Sequence, residues 1–369
     1  MSIYLPIMDS VWNVRGQFLW ECVEIVRKSK GKLMKKTGAI MLIFAIIAGI
    51  LSGCGESGNQ TTADASHKAG KYQIVCTIFP EYDWVRSVIG DSSDKFDVQL
   101  LLDNGTDVHN YQPTVDDIVK ISNSDVFIYA GGESEDWVRD ALENAVNPDM
   151  HVINLLELLA DSLEEEEVVE GMTDSHAGHD HHHEDEDEDE REYDEHVWLS
   201  LENAKKCVEE IGCVLGKVDS EHAEDFQKNA DDYIGQLQDL EKDYQNMVAK
   251  ADKDTILVAD RFPFRYLMEE CGLKYYAAFS GCSAETEASF ETITFLMEKV
   301  DSLNLGTVLV IENSDHSLAE TIVANTRDKN QKILVLNSLQ SLTRKEIQNG
   351  VTYLSIMRDN LQVLEEALK

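Results

Sequence analysis

The stretch EHAEDFQKNADDYIGQLQDLEKDYQNMVAKA, residues 221–251, decides the fold. It is highly charged, has no Pro and has a single Gly, so little in it would interrupt a helix. Its larger apolar side chains recur at intervals of three, four and seven residues: Phe226, Tyr233, Leu237, Leu240, Tyr244 and Met247. This period predicts one amphipathic helix about 45 Å long, at about 1.5 Å per residue.

The segments on either side of this helix alternate between β-rich apolar runs and runs with helical spacing. The strand-like runs are 72–79, 96–102, 126–130 and 152–156 before it, and 255–259, 275–279, 308–312 and 333–336 after it. The run from Lys345 to Leu368 is predicted to be a single terminal helix. Such βα alternation predicts parallel sheets covered by helices on both faces.

We therefore predict an α/β protein with two lobes, at residues 73–218 and 252–369. Each lobe would have a parallel-type sheet flanked by helices, and one long linking helix at 219–251 would join them. Ligands of open α/β sheets bind beyond the carboxyl ends of the strands. Any binding site is therefore expected in the cleft between the lobes.

The charge of the chain limits the partners that it can have. The 369 residues carry a formal net charge of −38. Phosphate backbones would repel this charge, which argues against nucleic acid as a partner and suits a protein that handles cations. Between Asp161 and Glu195 there are 18 Asp and Glu but one basic residue, Arg191. Such a run is typical of a solvated, disordered segment, so we predict an insert at 160–195 in the first lobe.

The N-terminal region carries an export signal. Lys35 and Lys36 precede an apolar run, 39–50, that is too short to span a bilayer comfortably but has the length and flanks of a secretory signal. The run ends in Leu51-Ser-Gly-Cys54, which resembles a bacterial lipobox, the motif in which the cysteine receives a lipid.

These features predict a lipoprotein signal peptide at 34–54, acylation of Cys54, and a flexible polar tether at 55–72. The alternative is an uncleaved signal anchor. Residues 1–33 fit neither scheme, and we interpret them as a mis-assigned start or a disordered extension.

The cysteines give little sign of a dedicated site. None of the seven forms a Cys-x-x-Cys pair, which argues against a zinc ribbon or a thioredoxin-like centre. Five follow Cys54, an odd number, and we expect them to be mostly buried free thiols, with a disulfide as the alternative.

A histidine tract lies inside the acidic insert and consists of His176, His179, His181, His182 and His183. Neutral imidazole is a good ligand for zinc, copper and nickel, so the tract is predicted to collect cations. It is not expected to be the high-affinity site, because ordering a disordered chain on binding costs free energy. The alternative is a solvated tract without a role.

Two other histidines occupy more defined positions. His109 lies in a loop after a predicted strand, which is where a ligand-binding side chain belongs. His196 lies where the apolar pattern resumes after the insert, which indicates that it is ordered. Each of them alone is also compatible with an ordinary loop or structural histidine.

Together these features resemble the metal-binding lipoproteins of ABC importers, a cluster that includes zinc- and manganese-binding proteins. That family has a Gly-x-x-x-His-x-Tyr-x-Pro loop, which is similar to 105–113 here, and a His-x-Trp-x-(Ser/Asp) segment, which is similar to 196–200. Zinc members often carry a histidine- and acid-rich insert just before the second motif, and a long helix links their lobes. The resemblance covers about 73–369 and implies that His109 and His196 bind a metal.

The resemblance is weaker in the second lobe, where the family places a His or Glu after the first strand. Counting back from the Gly272-Leu pair reaches Arg261, whose guanidinium cannot bind a cation. Asp260, one residue earlier, is therefore the predicted oxygen ligand, with an ion pair to Arg261 or Arg265 as the alternative.

The last ligand of the family corresponds to a position near Asn337, which would be a weaker and neutral donor. Glu312 and His316 are alternatives on the preceding loop. Two histidines and one carboxylate, completed by water or a weak fourth ligand, would satisfy tetrahedral zinc. Oxygen ligands also leave manganese open, although the histidine-rich insert favours zinc.

The resemblance implies the solute-binding component of an ABC metal importer, lipid-anchored to the outer face of the bacterial cell membrane. It would capture zinc in the inter-lobe cleft, deliver it to a membrane permease and act as a monomer. A secreted zinc-dependent hydrolase is the alternative enzyme, but neither His-Glu-x-x-His nor Gly-x-Ser-x-Gly occurs in the sequence. A third possibility is a surface adhesion or sensing lipoprotein that binds metal only through its insert.

Overall fold

The computed structural model describes residues 70–173, 193–283 and 287–369. Within these residues the strands form two sheets, one in each half of the chain. The strands of the first sheet are β1 (Tyr72–Cys76), β2 (Phe96–Leu100), β3 (Val126–Tyr129) and β4 (His151–Asn154). Those of the second sheet are β5 (Thr255–Phe262), β6 (Lys274–Ser280), β7 (Thr307–Val310) and β8 (Lys332–Val335).

Helices flank both sheets. In chain order they are α1 (Phe79–Ile89), α2 (Val115–Ser122), α3 (Trp137–Glu143), α4 (Leu155–Leu158), α5 (Leu201–Val218), α6 (Ala223–Val248), α7 (Arg265–Cys271), α8 (Phe290–Ser302), α9 (Ser317–Asn325), α10 (Arg344–Gln348) and α11 (Tyr353–Ala367).

The two sheets have the same topology. Their strand orders are β2-β1-β3-β4 and β6-β5-β7-β8, and neighbouring strands are parallel throughout. In each sheet the first strand lies between the second and the third, so the strand order reverses there. This reversal is the usual place for a ligand, beyond the carboxyl ends of the strands. The predicted α/β class, with two parallel sheets flanked by helices, is confirmed.

The long helix predicted at 221–251 is present as α6, which is 26 residues long. One stripe of α6 is buried and includes Phe226, Tyr233, Leu237, Leu240 and Tyr244. It packs against α5, α1 and α11, and also contacts α7 of the second half. The helix therefore shares one apolar core with elements from both halves of the chain.

Tyr353, at the start of α11, connects several of these elements. Its buried ring lies 5.2 Å from the ring of Trp84 in α1, and its hydroxyl donates to the carbonyl of Trp198 at 2.7 Å. The Nε1–H of Trp198 in turn donates to the carbonyl of Ser338 at 2.8 Å. These two buried hydrogen bonds position the segment after His196.

The prediction of a single terminal helix from Lys345 to Leu368 is wrong. The chain forms α10, leaves the helical path, and starts again as α11. Gly350 lies between them with φ of 87°, a conformation that interrupts a right-handed helix. Thr352 then caps α11, because its side chain accepts the backbone N–H of Ser355 at 3.1 Å.

Among the described residues, Cys76, Cys207, Cys271 and Cys282 are free thiols. Cys76 and Cys207 are buried, whereas Cys213, Cys271 and Cys282 are only partly buried. Burial is therefore less general than the sequence suggested.

Two buried carboxylates lie at the carboxyl edge of the first sheet. Oε2 of Glu81 accepts the backbone N–H of Thr77 at 2.9 Å, and Oε2 of Glu135 accepts that of Gly131 at 2.8 Å. Burial raises the pKa of both groups, and the charge of Glu135 raises the pKa of Glu81 further. The pKa of Glu135 is raised to about 7. Glu135 therefore keeps its proton up to nearly neutral pH.

Replacing Glu135 by Gln should stabilise the protein above about pH 7 and leave it nearly unchanged near about pH 5. The folded-state pKa of Glu135 lies above its ordinary value of 4.5. The protonated Glu135 carboxyl therefore makes its full contribution to the free energy of unfolding below pH 4.5. This contribution is lost as the pH rises through about 7. The loss is about 3 kcal/mol. Gln keeps an oxygen for the Gly131 N–H.

Urea denaturation of the metal-free protein across this pH range measures the difference between variant and parent. Glu143→Gln, at an exposed position of α3, is the matched control and should leave the pH dependence unchanged. Identical pH dependence in Glu135→Gln and the parent would contradict the assignment.

Candidate metal centre

His109 is held at the carboxyl edge of the first sheet by a short turn, Val108–Asn110. The side chain of Asp107 caps this turn by accepting the backbone N–H of His109 at 3.0 Å. The His109 side chain is 8% exposed, and its Nδ1 lies 2.7 Å from Oγ of Ser134. The ring is thus fixed on its Nδ1 side, which directs Nε2 away from Ser134 and into the site.

His196 is fully buried and is held by a single carboxylate oxygen. Oδ1 of Asp194 accepts the backbone N–H of His196 at 2.8 Å and lies 2.9 Å from its Nδ1. The ring also packs against the indole of Trp198, with centroids 5.1 Å apart. A carboxylate at Nδ1 keeps the proton on that nitrogen and leaves the Nε2 lone pair available.

The two histidines face each other through these inner nitrogens. Nε2 of His109 lies 3.1 Å from Nε2 of His196. Burial, together with the charges of His196 and Arg261, lowers the pKa of His109 to about 3, although Asp107 acts in the opposite direction. Burial also disfavours charge on His196, but Asp194, with Glu195 and Asp107, outweighs it and raises the pKa of His196. In the metal-free pair, His196 therefore takes up a proton before His109 does.

Cys282 joins this pair, and the sequence analysis did not select it. It follows β6 in the second sheet, and its Sγ and one nitrogen of each histidine all lie within 4.8 Å of one another. Burial raises the pKa of the Cys282 thiol, and the carboxylates of Glu195 and Glu166 raise it further. The sequence did contain a usable signal, because a cysteine three residues beyond a predicted strand lies at the ligand-binding edge of a parallel sheet.

Gly281 explains how Cys282 comes so close. A Cβ on Gly281 would lie 3.0 Å from Cε1 of His196 and 3.0 Å from the carbonyl oxygen of Phe262. These distances are tighter than ordinary van der Waals contact, so a side chain here would have to displace the imidazole or the backbone. Glycine lets the loop after β6 lie directly on the ring of His196.

Asp260 and Arg261 lie within β5, which extends to Phe262 and is longer than predicted. Oδ1 of Asp260 accepts the backbone N–H of Arg261 at 2.9 Å, and Asp260 is not one of the three clustered ligands. The guanidinium of Arg261 instead forms an ion pair with Asp107, next to His109. Gln340 also donates to Asp107, at 3.2 Å.

The other predicted oxygen ligands are engaged in local hydrogen bonds. Oδ1 of Asn337 accepts the backbone N–H of Leu339 at 2.8 Å. The carboxylate of Glu312 accepts from both the backbone N–H and the hydroxyl of Ser338, each at 2.8 Å. His316 precedes α9 in a left-handed conformation, with φ of 64°.

A second group of metal-ligand side chains, Asp219, Glu221 and His222, exists among the described residues. The ammonium group of Lys95 lies among them, 3.6 Å from Asp219 and 3.5 Å from Glu221. A cation of the protein itself thus neutralises this group. The histidine pair with Cys282 is the better candidate for a metal site, because no lysine among the described residues forms an ion pair with its ligand atoms.

The histidine tract at His176, His179, His181, His182 and His183, and the proposed lipidation site Cys54, lie outside the described residues. The apolar run 39–50 lies outside them too. Within the described residues, no helix is both long enough and apolar enough to span a bilayer.

Two parallel sheets, a long shared helix and a buried histidine pair at the strand ends are features of a solute-binding protein for transition metals. The family model described as "Zinc-uptake complex component A periplasmic", or ZnuA, matches residues 74–367, and the chain belongs to this family.

Similar proteins carry related names. The high-affinity zinc uptake system protein ZnuA of Bacillus subtilis (strain 168) is 31% identical over 336 residues, which cover 91% of this chain and 99% of that protein. The zinc-binding lipoprotein AdcA of Streptococcus pneumoniae (strain ATCC BAA-255 / R6) is 33% identical over 333 residues, 90% of this chain. The matched part is 61% of AdcA, so this chain spans only part of that relative's length.

Solved structures agree with the fold. The Zn(II)-bound ZnuA-like domain of Streptococcus pneumoniae AdcA is 30% identical with a TM-score of 0.62, over 81% of this chain and 99% of that one. The metal-dependent lipoprotein YcdH from Bacillus subtilis is 28% identical with a TM-score of 0.65, over 81% of this chain and 100% of that one.

Replacing Asp194 by Asn should lower the pKa of His196 in the metal-free protein. Asp194 raises this pKa against the effect of burial, and an amide removes the charge while keeping an oxygen for both N–H groups. Titration of the imidazole signals by NMR measures the shift. Asp161→Asn, at an exposed position outside the site, should leave it unchanged. A His196 pKa that does not fall in Asp194→Asn would contradict the role of this carboxylate.

Proposed function

We propose that this protein is the zinc-capturing component of a metal importer, and that His109 and His196 bind the ion. The observation that supports this most strongly is the 3.1 Å separation between their Nε2 atoms. Two nitrogens bound to one zinc ion, at about 2.0–2.1 Å with tetrahedral angles, lie about 3.3 Å apart. A small outward movement of either ring would admit the ion, so the metal-free arrangement is close to the bound one.

The partners on the far side of each ring support the same function. Metal-binding histidines usually donate their other N–H to a carboxylate or another oxygen, which fixes the ring and strengthens the ligand. Asp194 takes this role for His196, and Ser134 takes it for His109. Oε1 of Glu195 accepts the backbone N–H of Ser134 at 2.9 Å, which positions that hydroxyl in turn.

The remaining ligands from the sequence analysis stay predictions. Asp260 and Asn337 would each have to exchange a present hydrogen bond for a bond to the metal. Zinc is favoured over manganese because two imidazoles dominate the site, and because ZnuA and AdcA are named for zinc. Manganese remains the alternative if carboxylates complete the coordination.

The histidine tract would assist capture without being the final site. We propose that it raises the concentration of zinc near the two ordered histidines, since five imidazoles beside many carboxylates bind cations weakly and exchange them rapidly. The ion would then pass to the inter-lobe cleft, where the ligands are already oriented.

Delivery would occur at a membrane. We propose that the protein is exported, acylated at Cys54 and held on the outer face of the cell membrane, where the monomer passes zinc to an ABC permease. The long helix α6 packs with both halves of the chain, so domain movements during release should be small.

An enzymatic role is not supported by the site. Metal-dependent hydrolysis needs an open coordination position and a general base aimed at a bound water. The nearby carboxylates of Asp107, Asp194 and Glu195 already hold Arg261, His196 and Ser134. Hydrolytic turnover by the zinc-loaded protein would favour the hydrolase alternative.

His109→Ala should weaken zinc binding at the ordered site by at least about 100-fold. Loss of a group that only orients a ligand costs about 10- to 100-fold, and His109 is itself a proposed ligand. To remove binding by the histidine tract, residues 174–192 are replaced with a Gly/Ser linker of equal length. Calorimetry on this insert-replaced protein, with and without His109→Ala, measures the affinity.

His151→Ala, in β4 and away from the site, is the matched control and should bind zinc like the parent. Retention of tight 1:1 binding in the insert-replaced parent supports the proposed site. Loss of all binding on replacing the insert would instead support a lipoprotein that binds metal only through its tract.

Acylation should depend on Cys54 alone among the cysteines. In cells fed a labelled fatty acid, the protein should incorporate the label and fractionate with membranes, whereas Cys54→Ser should lose both properties. Cys22→Ser, upstream of the apolar run, is the control and should behave like the parent. Label in the Cys54→Ser protein would contradict the lipobox assignment.

A further inference from the structure

We propose that Cys282 is the third protein ligand of the metal, so that the ion is held by two imidazole nitrogens and one thiolate sulfur. This inference rests on the proposed function, because it assigns a further ligand to the same site. The juxtaposition that supports it is the cluster of His109, His196 and Cys282, whose ligand atoms lie within 4.8 Å of one another.

A third donor is needed because two imidazoles alone do not complete a metal site. At the position where the family resemblance implies a His or Glu, this chain has Arg261, which has no lone pair to offer. The guanidinium of Arg261 forms an ion pair with Asp107. The carboxylate of Asp260 accepts a hydrogen bond from the backbone N–H of Arg261. The two histidines leave the tetrahedral shell half-filled, and Cys282 is the described side chain that joins their cluster.

The backbone around Cys282 is built to place its sulfur there. Gly281 lies against the ring of His196, which brings the next residue to the same ring. The backbone N–H of Cys282 donates to the carboxylate of Glu166 at 3.0 Å, which fixes the loop.

One neighbouring charge favours a thiolate at the metal, although the carboxylates of Glu195 and Glu166 disfavour a thiolate in the metal-free protein. Arg261 places a positive charge close to His109, and it lowers the pKa of that ring. A divalent ion beside this guanidinium would be repelled, although Asp107 compensates in part. A thiolate ligand brings a negative charge directly to the metal and offsets the repulsion, whereas a third neutral imidazole would not.

A sulfur ligand has a consequence for selectivity. Thiolate is a soft donor that favours zinc over manganese, whereas carboxylate oxygens suit harder ions. Zinc–sulfur bonds are about 2.3 Å long, so sulfur and nitrogen on one tetrahedral ion lie about 3.6 Å apart. The present cluster needs only a modest contraction to reach this geometry.

Cobalt(II) can report the ligands directly, because a thiolate bound to cobalt gives an intense near-ultraviolet charge-transfer band that imidazole does not. The insert-replaced protein should bind one cobalt ion and show this band. Cys282→Ser should lose the band and bind zinc about 10- to 100-fold more weakly, whereas Cys271→Ser, a partly buried thiol in α7, should behave like the parent.

A second measurement avoids any question of folding in the serine variant. Zinc added to the unmodified insert-replaced protein should slow alkylation of Cys282 at least about 10-fold, and it should not protect Cys271, as measured by mass spectrometry of the peptides.

The outcomes separate this inference from the proposed function. Tight 1:1 binding that depends on His109, without a charge-transfer band and without protection of Cys282, would overturn the thiolate ligand and leave the zinc-capturing function intact. Absence of any 1:1 binding in the insert-replaced protein would overturn both.

Discussion

The site depends on the complete burial of one histidine. His196 has no exposed surface, so all its polar atoms need partners inside the protein, and Asp194 supplies one oxygen for two of its N–H groups. Its remaining nitrogen faces His109 from the first sheet, and its ring rests on Gly281 from the second. Elements from both halves of the chain therefore meet on this ring, and a shift of the first sheet would separate its Nε2 from that of His109.

Arg261 gives the site an unusual electrostatic character. A cation placed beside a cation-binding site is unfavourable unless anionic groups balance it. Asp107 does so here, and the same carboxylate caps the turn that carries His109. One side chain thus couples the position of the first histidine to the end of β5 in the second sheet, which links the ligand geometry to the packing of the two halves.

Carboxylates surround the histidine pair but do not crowd its centre. Asp107, Asp194 and Glu195 each hold an orienting hydrogen bond or ion pair, and Glu81 and Glu135 lie deeper at the edge of the first sheet. The negative charges of the outer carboxylates attract cations, while the imidazole nitrogens would be the inner donors of the proposed site. This separation explains how a chain with a net charge of −38 can present a nitrogen-rich site rather than an oxygen-rich one.

The sequence alone determined the elements whose signals are local. The period of apolar residues in 221–251 specified α6, and the βα alternation specified two parallel sheets, because both patterns depend on neighbours a few residues apart. His109 and His196 could be selected because each lies in a recognisable motif at a strand or segment end. The break at Gly350 was missed, since a single glycine in a helical pattern is often tolerated.

Only the tertiary structure decided which side chains meet. Cys282 lies 86 residues after His196, and its position just after a strand indicates the ligand-binding edge but not which ring it meets. Asp260 was chosen by counting along one segment, but β5 continues past it, and its carboxylate is used by the adjacent backbone. Ligand choice depends on distances between segments that are remote in the chain, and those distances are set by how the two sheets pack on the shared core.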